Sequence, residues 1–343
     1  MIVGKIKFKE ILAIKSDNKK ENTDNVFTEI RSLAVDSENN LFFLDINTFK
    51  IHKYNKIGKF VKSFGGKGNG PGEFIGHKNI ALAIMQDTLY VSDSKAKKII
   101  IYDKNGKYIR NILLSRRTPF VLKNLNRNKF VGLSLNTEKT KNEYFLKSNL
   151  STYNKKFSLI KSLSTQKIKF DPYKPSIVSS DFIQYFDCGK NQFYVSIISE
   201  DRYLLKVYDL DSKFLFNIER DYRKVKMSNK EIEDLAKSIK IQTNNKSNKN
   251  KVETLYHKSI NSIWVDKYDR VWVSHNYKQN NNEEEIYIDI FNNQGILISK
   301  FDFNGFRLKN KMNLNNLIYF EGDYLYIVDE DKNFNTIIRI FDY

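Results

Sequence analysis

Four histidines, His52, His77, His257 and His275, are the side chains of this sequence best suited to hold a transition metal or move a proton near neutral pH. Zinc would need three of them, yet the last three are separated by 180 and 18 residues. No pattern of orienting carboxylates accompanies them, so isolated imidazoles are the simpler reading and no metal is assigned. Cys188, the one cysteine, lies beside Gly189. It can form neither an intramolecular disulfide nor a thiolate cluster, and it reads as a buried or turn-adjacent thiol. The run from Gly65 to Gly72 looks like a phosphate cradle but lacks the following helix whose N-terminus would meet an anion. Asp45, Asp93 and Asp329 recur behind similar apolar runs and read as turn-initiating Asx groups. Neither a catalytic residue nor a cofactor follows from these groups.

The elements that must position them repeat. Leu41-Phe-Phe-Leu-Asp45, Lys50-Ile51, Tyr54 and Gly58-Lys59 return 48 residues later as Leu89-Tyr-Val-Ser-Asp93, Lys98-Ile99, Tyr102 and Gly106-Lys107. A period of about 40 to 50 residues built from short alternating strands is the signature of a β-propeller. Gly58 and Gly106 fall where a tight hairpin needs positive φ. Worn copies continue through Phe130, Phe193, Val271 and Leu325, giving six blades at about 29–65, 79–114, 119–163, 181–220, 259–303 and 314–343. The last copy ends after its third strand, and residues 4–14 alternate like the missing fourth. The expected fold is therefore all-β: a six-bladed β-propeller of four-stranded antiparallel blades, one domain over 1–343, closed by the N-terminal strand in the last blade.

One segment breaks the repeat. Ser228 and Glu231 fit a capping box, and Ile232, Leu235, Ala236 and Ile239 share one helical face, so a short helix is expected within an insertion at 227–258. The helix is either a lid or mere packing.

The segment Phe64-Gly-Gly-Lys-Gly-Asn-Gly-Pro-Gly-Glu-Phe74, followed by Ile80-Ala, Leu89-Tyr-Val-Ser-Asp93 and Ile101-Tyr-Asp-Lys-Asn-Gly-Lys107, resembles an NHL repeat. The whole chain is similar to six-bladed propeller proteins of Bacteroidetes-type bacteria. The resemblance implies the fold and a binding face, since many members of that family have no assigned activity. It also raises two enzymatic alternatives, a lactonase-like calcium site of carboxylates and amides or an amidating-lyase-like zinc site of three histidines. Some eukaryotic NHL propellers bind RNA, a third alternative.

A formal charge of +18 suits a polyanion, but the 58 basic residues are 47 Lys and 11 Arg. Arginine is what bidentate phosphate and base recognition prefers, so solvated surface is the better reading. No run approaches a membrane span, and the first residues lack the features of an export signal. Compartment stays open, extracytoplasmic if the chain is a mature or trimmed form.

Strand direction places the blade-to-blade connections and the second-to-third hairpins on one face. That face collects loops 65–77, 115–119, 171–180 and 276–285 together with the insertion, and long loops on a rigid scaffold are where binding groups reside. Its candidate site residues are His77, Arg116, Arg117 and His275. Register places Arg31, Asn79, Phe120, Ile183, Asn261 and Asn315 around the channel mouth, of which Arg31, Asn79, Asn261 and Asn315 are candidate ligand-binding groups. The sequence thus reads as a non-catalytic, monomeric binding scaffold for a protein, peptide or glycan rather than nucleic acid.

Overall fold

The computed structural model describes residues 6–16, 23–115, 118–141, 143–170, 183–233, 256–277, 285–301, 314 and 317–343. Six four-stranded antiparallel sheets account for its strands. Strand β1 (Lys9–Lys15) comes first in the chain but last in its sheet. Blade 1 holds β2 (Ile30–Val35), β3 (Leu41–Asp45), β4 (Lys50–Tyr54) and β5 (Phe60–Phe64). Blade 2 holds β6 (Ile80–Met85), β7 (Thr88–Asp93), β8 (Lys98–Tyr102) and β9 (Tyr108–Leu113). In blade 3 these become β10 (Val121–Asn126), β11 (Lys129–Lys139), β12 (Tyr144–Asn154) and β13 (Leu159–Phe170). Blade 4 is β14 (Phe186–Cys188), β15 (Gln192–Ser196), β16 (Tyr203–Asp209) and β17 (Phe214–Arg220). Blade 5 is β18 (Ile260–Val265), β19 (Val271–Tyr277), β20 (Glu285–Phe291) and β21 (Leu297–Phe301). Blade 6 combines β22 (Ile318–Glu321), β23 (Tyr324–Glu330) and β24 (Thr336–Asp342) with β1.

Closure runs from Lys9 opposite Asp342 to Lys15 opposite Ile337, so the N-terminal strand completes the last blade as the repeat demands. The inner strands β2, β6, β10, β14, β18 and β22 contact one another in that cyclic order, and β22 returns to β2. Core side chains fill the spaces between blades. Phe42, Leu44, Ile51, Leu82 and Val91 lie between blades 1 and 2, and Leu205, Val207, Ile263 and Val273 between blades 4 and 5.

The hairpin glycines behave as their positions require. Gly58 and Gly106 have φ of 76° and 75°, and each abuts the outer strand of the preceding blade. A Cβ on Gly106 would stand 2.5 Å from the Phe64 ring, and one on Gly58 2.6 Å from Leu12. Gly106→Ala is expected to cost about 3 kcal/mol from left-handed strain plus overpacking, measured by guanidinium denaturation. Gly66→Ala, whose Cβ would meet nothing nearer than Glu73 at 3.9 Å, serves as the control and should stay within about 0.5 kcal/mol.

Asp45 and Asp93 are fully buried caps. Asp45 accepts hydrogen bonds from the amides of Thr28, Glu29 and Asn47, and Asp93 from those of Ile75, Gly76 and Ala96. Each carboxylate therefore clamps the chain entering its blade to the turn after the second strand, which is more than a local Asx turn. The capping box exists as well. Ser228 Oγ accepts from Glu231 N at 3.3 Å, Glu231 Oε2 accepts from Ser228 N at 2.6 Å, and residues 229–233 are helical. The rest of the expected helix lies outside the described residues.

Candidate functional site

Blade 3 stands above its neighbours. Leu133 is the last β11 residue with an inner-strand partner, yet β11 keeps pairing with β12 as far as Lys139 opposite Tyr144, and β12 with β13 as far as Phe170. Six residues of β11 beyond Leu133 raise this three-stranded extension by about 20 Å on the long-loop face. The outer strand of blade 3 thus ends at Phe170, past the boundary at 163 expected from the repeat. Ion pairs of Glu138 with Lys147 and Lys167, and of Glu143 with Lys169, brace it.

A cleft of about 680 Å³ opens between this extension and blade 2. Asn79, Ser94 and Lys97 line it from blade 2, Ser115, Thr118 and Phe120 from the connecting chain, and Leu135, Asn136, Thr137 and Leu146 from blade 3. Among the described residues no Asp or Glu lines it, and Lys97 is the charged group among them. Asn136 is held by a ladder of amides: Asn149 Nδ2 donates to Asn136 Oδ1 at 2.7 Å while Asn149 Oδ1 accepts from Thr165 Oγ1 at 3.2 Å. Asn149 is fully buried, so this ladder fixes the Asn136 amide at the cleft edge. Thr118 is 5% exposed, and its hydroxyl has no hydrogen-bond partner among the described residues. A buried hydroxyl left unsatisfied costs about 1–3 kcal/mol, which a bound water or ligand would offset.

Charges meet at the ring axis. Lys123 of β10 lies 3.3 Å from Asp187 of β14 and 3.1 Å from Glu321 of β22. Blades 3 and 6 are opposite in a ring of six, so this contact spans the channel. Lys123 and Glu321 remain 28% and 24% exposed at the centre of the molecule, as groups lining a channel do. Burial alone would drive the Lys123 ammonium down, but Asp187 and Glu321 outweigh it and hold its pKa above the ordinary lysine value. Glu321 shifts up, because burial outweighs the attraction of Lys123.

Of the four rim candidates, Arg31, Asn79 and Asn261 fall among the described residues, each at or next to the start of its inner strand. Arg31 and Asn261 each sit at a β-bulge, between Ile30 and Ser32 and between Ile260 and Ser262, which re-aims a side chain out of the ladder. Arg31 is half-buried, and burial lowers its pKa despite Tyr319 and Glu29 nearby. Asn79 precedes an unbulged strand and faces the cleft with Phe120. Ile183 packs into the core between blades 3 and 4. Asn315, Arg116 and Arg117 lie outside the described residues.

The histidines occupy separate environments. His77 is exposed, 6.3 Å from the Phe49 ring. His52 is stacked on Phe43, and burial pushes its pKa down to about 4. His257 meets Glu231 at 3.0 Å beside the short helix. His275, expected on the loop face, is buried in β19 and meets Asp289 at 3.1 Å, with Arg220 on the same carboxylate. Burial raises the Asp289 pKa, but His275 and Arg220 together hold it below its ordinary value. Among the described residues no three His, Cys, Asp or Glu side chains group as metal ligands do. In the glycine run, Glu73 Oε2 accepts from Gly70 N at 2.8 Å and its carboxylate fills the loop where an anion would sit. Cys188 is half-buried beside the axial charges, and burial pushes its thiol up, away from nucleophilic chemistry.

The family model described as a 6-bladed beta-propeller, DUF5128, matches residues 7–175. No curated protein matches the sequence. Among solved structures, a member of the duf4221 family from Bacteroides vulgatus aligns with a TM-score of 0.56 at 14% identity over 98% of each chain. A Bacteroides fragilis protein described as exported aligns with a TM-score of 0.57 at 14% identity, over 97% of this chain and 94% of that one. No helix among the described residues is long and apolar enough to cross a membrane. Sheet order, family model and both structures agree that the chain is a six-bladed β-propeller.

Proposed function

We propose that this propeller is a non-catalytic binding scaffold whose long-loop face receives a protein, peptide or glycan in the cleft between blades 2 and 3. The observation that carries this reading is the tall blade 3, whose edge supplies amide, hydroxyl and aliphatic groups to one wall of the cleft. A rigid concave surface with a few placed polar groups among apolar ones is what ligand sites share. The Gly-Pro-Gly-Glu-Phe element supports kinship with NHL repeats through a structural role: Phe74 is fully buried and Gly72 O accepts from Tyr102 OH. Lysines occur on both faces, with Lys59, Lys107 and Lys213 at third-to-fourth turns and Lys97 and Lys139 opposite, a spread that favours solvation over a nucleic-acid footprint.

The test is binding of a phage-displayed random peptide library and a glycan array to the immobilised protein. Leu146→Arg and Asn136→Ala should each weaken the recovered interaction by about tenfold or more, as expected of cleft residues near an interface centre. Leu146→Arg should leave the melting temperature nearly unchanged, whereas Asn136→Ala also strips the acceptor from buried Asn149 and should cost about 1–3 kcal/mol of stability. Ligands that bind both variants as well as the parent protein would place the site elsewhere.

A further inference from the structure

The wall that blade 3 offers to the cleft is a strand edge. Phe120 N donates to Leu133 O at 2.8 Å, so the main-chain polar groups of Leu133 point toward the inner strand. At the other end of β11, Thr140 N donates to Glu143 O at 2.9 Å, so position 140 points toward β12. Strand residues alternate, and both bonds give the same parity. Positions 134, 136 and 138 bond to β12, while Leu135, Thr137 and Lys139 turn N–H and C=O the other way. The inner strand ends its pairing at Leu133, and among the described residues no group bonds the main chain of Leu135, Thr137 or Lys139 on that side. Leu135 and Thr137 also line the cleft.

We propose that this edge captures an extended peptide as an added antiparallel strand, through the main chain of Leu135 and Thr137. The proposal rests on the reading of the long-loop face as a binding surface and narrows its ligand to a peptide. Main-chain pairing supplies affinity, and pockets for alternate side chains supply selectivity. Phe120, Leu135 and Leu146 offer apolar contact, and among the described residues Lys97 faces them without a carboxylate in the lining and the buried Thr118 hydroxyl has no partner. The fitting segment therefore alternates apolar residues with polar ones and carries an Asp or Glu for Lys97. A glycan would satisfy the side-chain groups but would leave the repeated N–H and C=O pattern of the edge unused. Natural sheets blunt such edges with charge or a bulge, but the two positions named are Leu and Thr and the register from Lys129 to Lys139 is unbroken.

Peptides selected from the phage library, synthesised and titrated onto the full chain, supply the probe. Hydrogen exchange should show the Leu135 and Thr137 amides slowed by the bound peptide. Thr137→Pro removes one edge N–H that the fold does not use, and should weaken peptide binding about tenfold or more. N-methylation of alternate peptide amides should abolish binding in one register and spare it in the other. Peptides that bind with no slowing at 135 and 137, and that bind Thr137→Pro normally, would overturn strand addition while leaving the cleft as a binding site. Glycan binding lost in Leu146→Arg, with no peptide selected, would likewise overturn the peptide reading alone. Ligands indifferent to Leu146→Arg, Asn136→Ala and Thr137→Pro alike would remove both.

Discussion

Deleting residues 6–15 is expected to abolish the soluble, cooperatively folding protein. Without β1, strand β24 loses the partner it pairs with from Asp342 to Ile337 and becomes an open edge bearing Ile337, Ile338, Ile340 and Phe341. Open apolar edges recruit other chains, so the deleted form should elute as aggregate on size exclusion and show no sharp thermal transition. A point variant grades the same effect. Ile14 is 4% exposed in the core that includes Trp272 and Phe341. Ile14→Asp buries an unpaired carboxylate and should cost about 4 kcal/mol or more, against about 1 kcal/mol for Ile14→Val, both read from denaturant midpoints. A deleted form that stays monomeric with the parent's midpoint would show that the ring does not depend on this strand.

Lys123→Met is expected to have the next largest effect, because it leaves Asp187 and Glu321 facing each other in the channel without their cation. Breaking a buried ion pair by removing one partner costs about 3–5 kcal/mol. The pH dependence has a definite sign. The folded-state pKa of Glu321 is raised, so the folded chain holds that proton more tightly than the unfolded chain. A raised carboxyl weakens folding as pH climbs through the window between the unfolded and folded pKa, and the penalty is complete above it. Lys123 limits the rise, so its loss widens the window upward. The stability gap between parent and variant should therefore be smaller at about pH 5 than at about pH 8. The raised pKa of Lys123 itself contributes stability below the ordinary lysine value and so acts equally at both pH values. A gap that does not change with pH would mean that the carboxylates find other partners when the ammonium is gone.

What could be read from the sequence followed from local physics. Gly58 and Gly106 announce hairpins because few other residues accept positive φ cheaply, and both have it. Ser228 and Glu231 announce a helix start through reciprocal capping, and both bonds form. The blade count and closure came from the period, since each blade needs a neighbour on which to bury its faces. The height of blade 3 escaped notice because Ser134 to Lys139 is a polar stretch, and beyond the inner strand the usual apolar alternation fades. The axial charges escaped for another reason: Lys123 and Glu321 are 198 residues apart, and neither carries a local sign that the other will face it. His275 reads as a long-loop-face group, and its burial against Asp289 has no local sign because Asp289 arrives from the next strand. Equal spacing along the repeat likewise gives no sign of the bulges at Arg31 and Asn261, which have no counterpart before Asn79.

The closing pair of strands also sets an orientation. Lys9, where β1 begins, is opposite Asp342, where β24 ends, and both are at the short-turn side of blade 6, away from the cleft. A tether joined at Tyr343 would leave from that side, so under the proposed strand addition a molecule fixed there to a bead or a resin would hold the β11 edge outward. Attachment chemistry placed there should therefore leave capture undiminished, whereas a graft into residues 139–144 would wall it off.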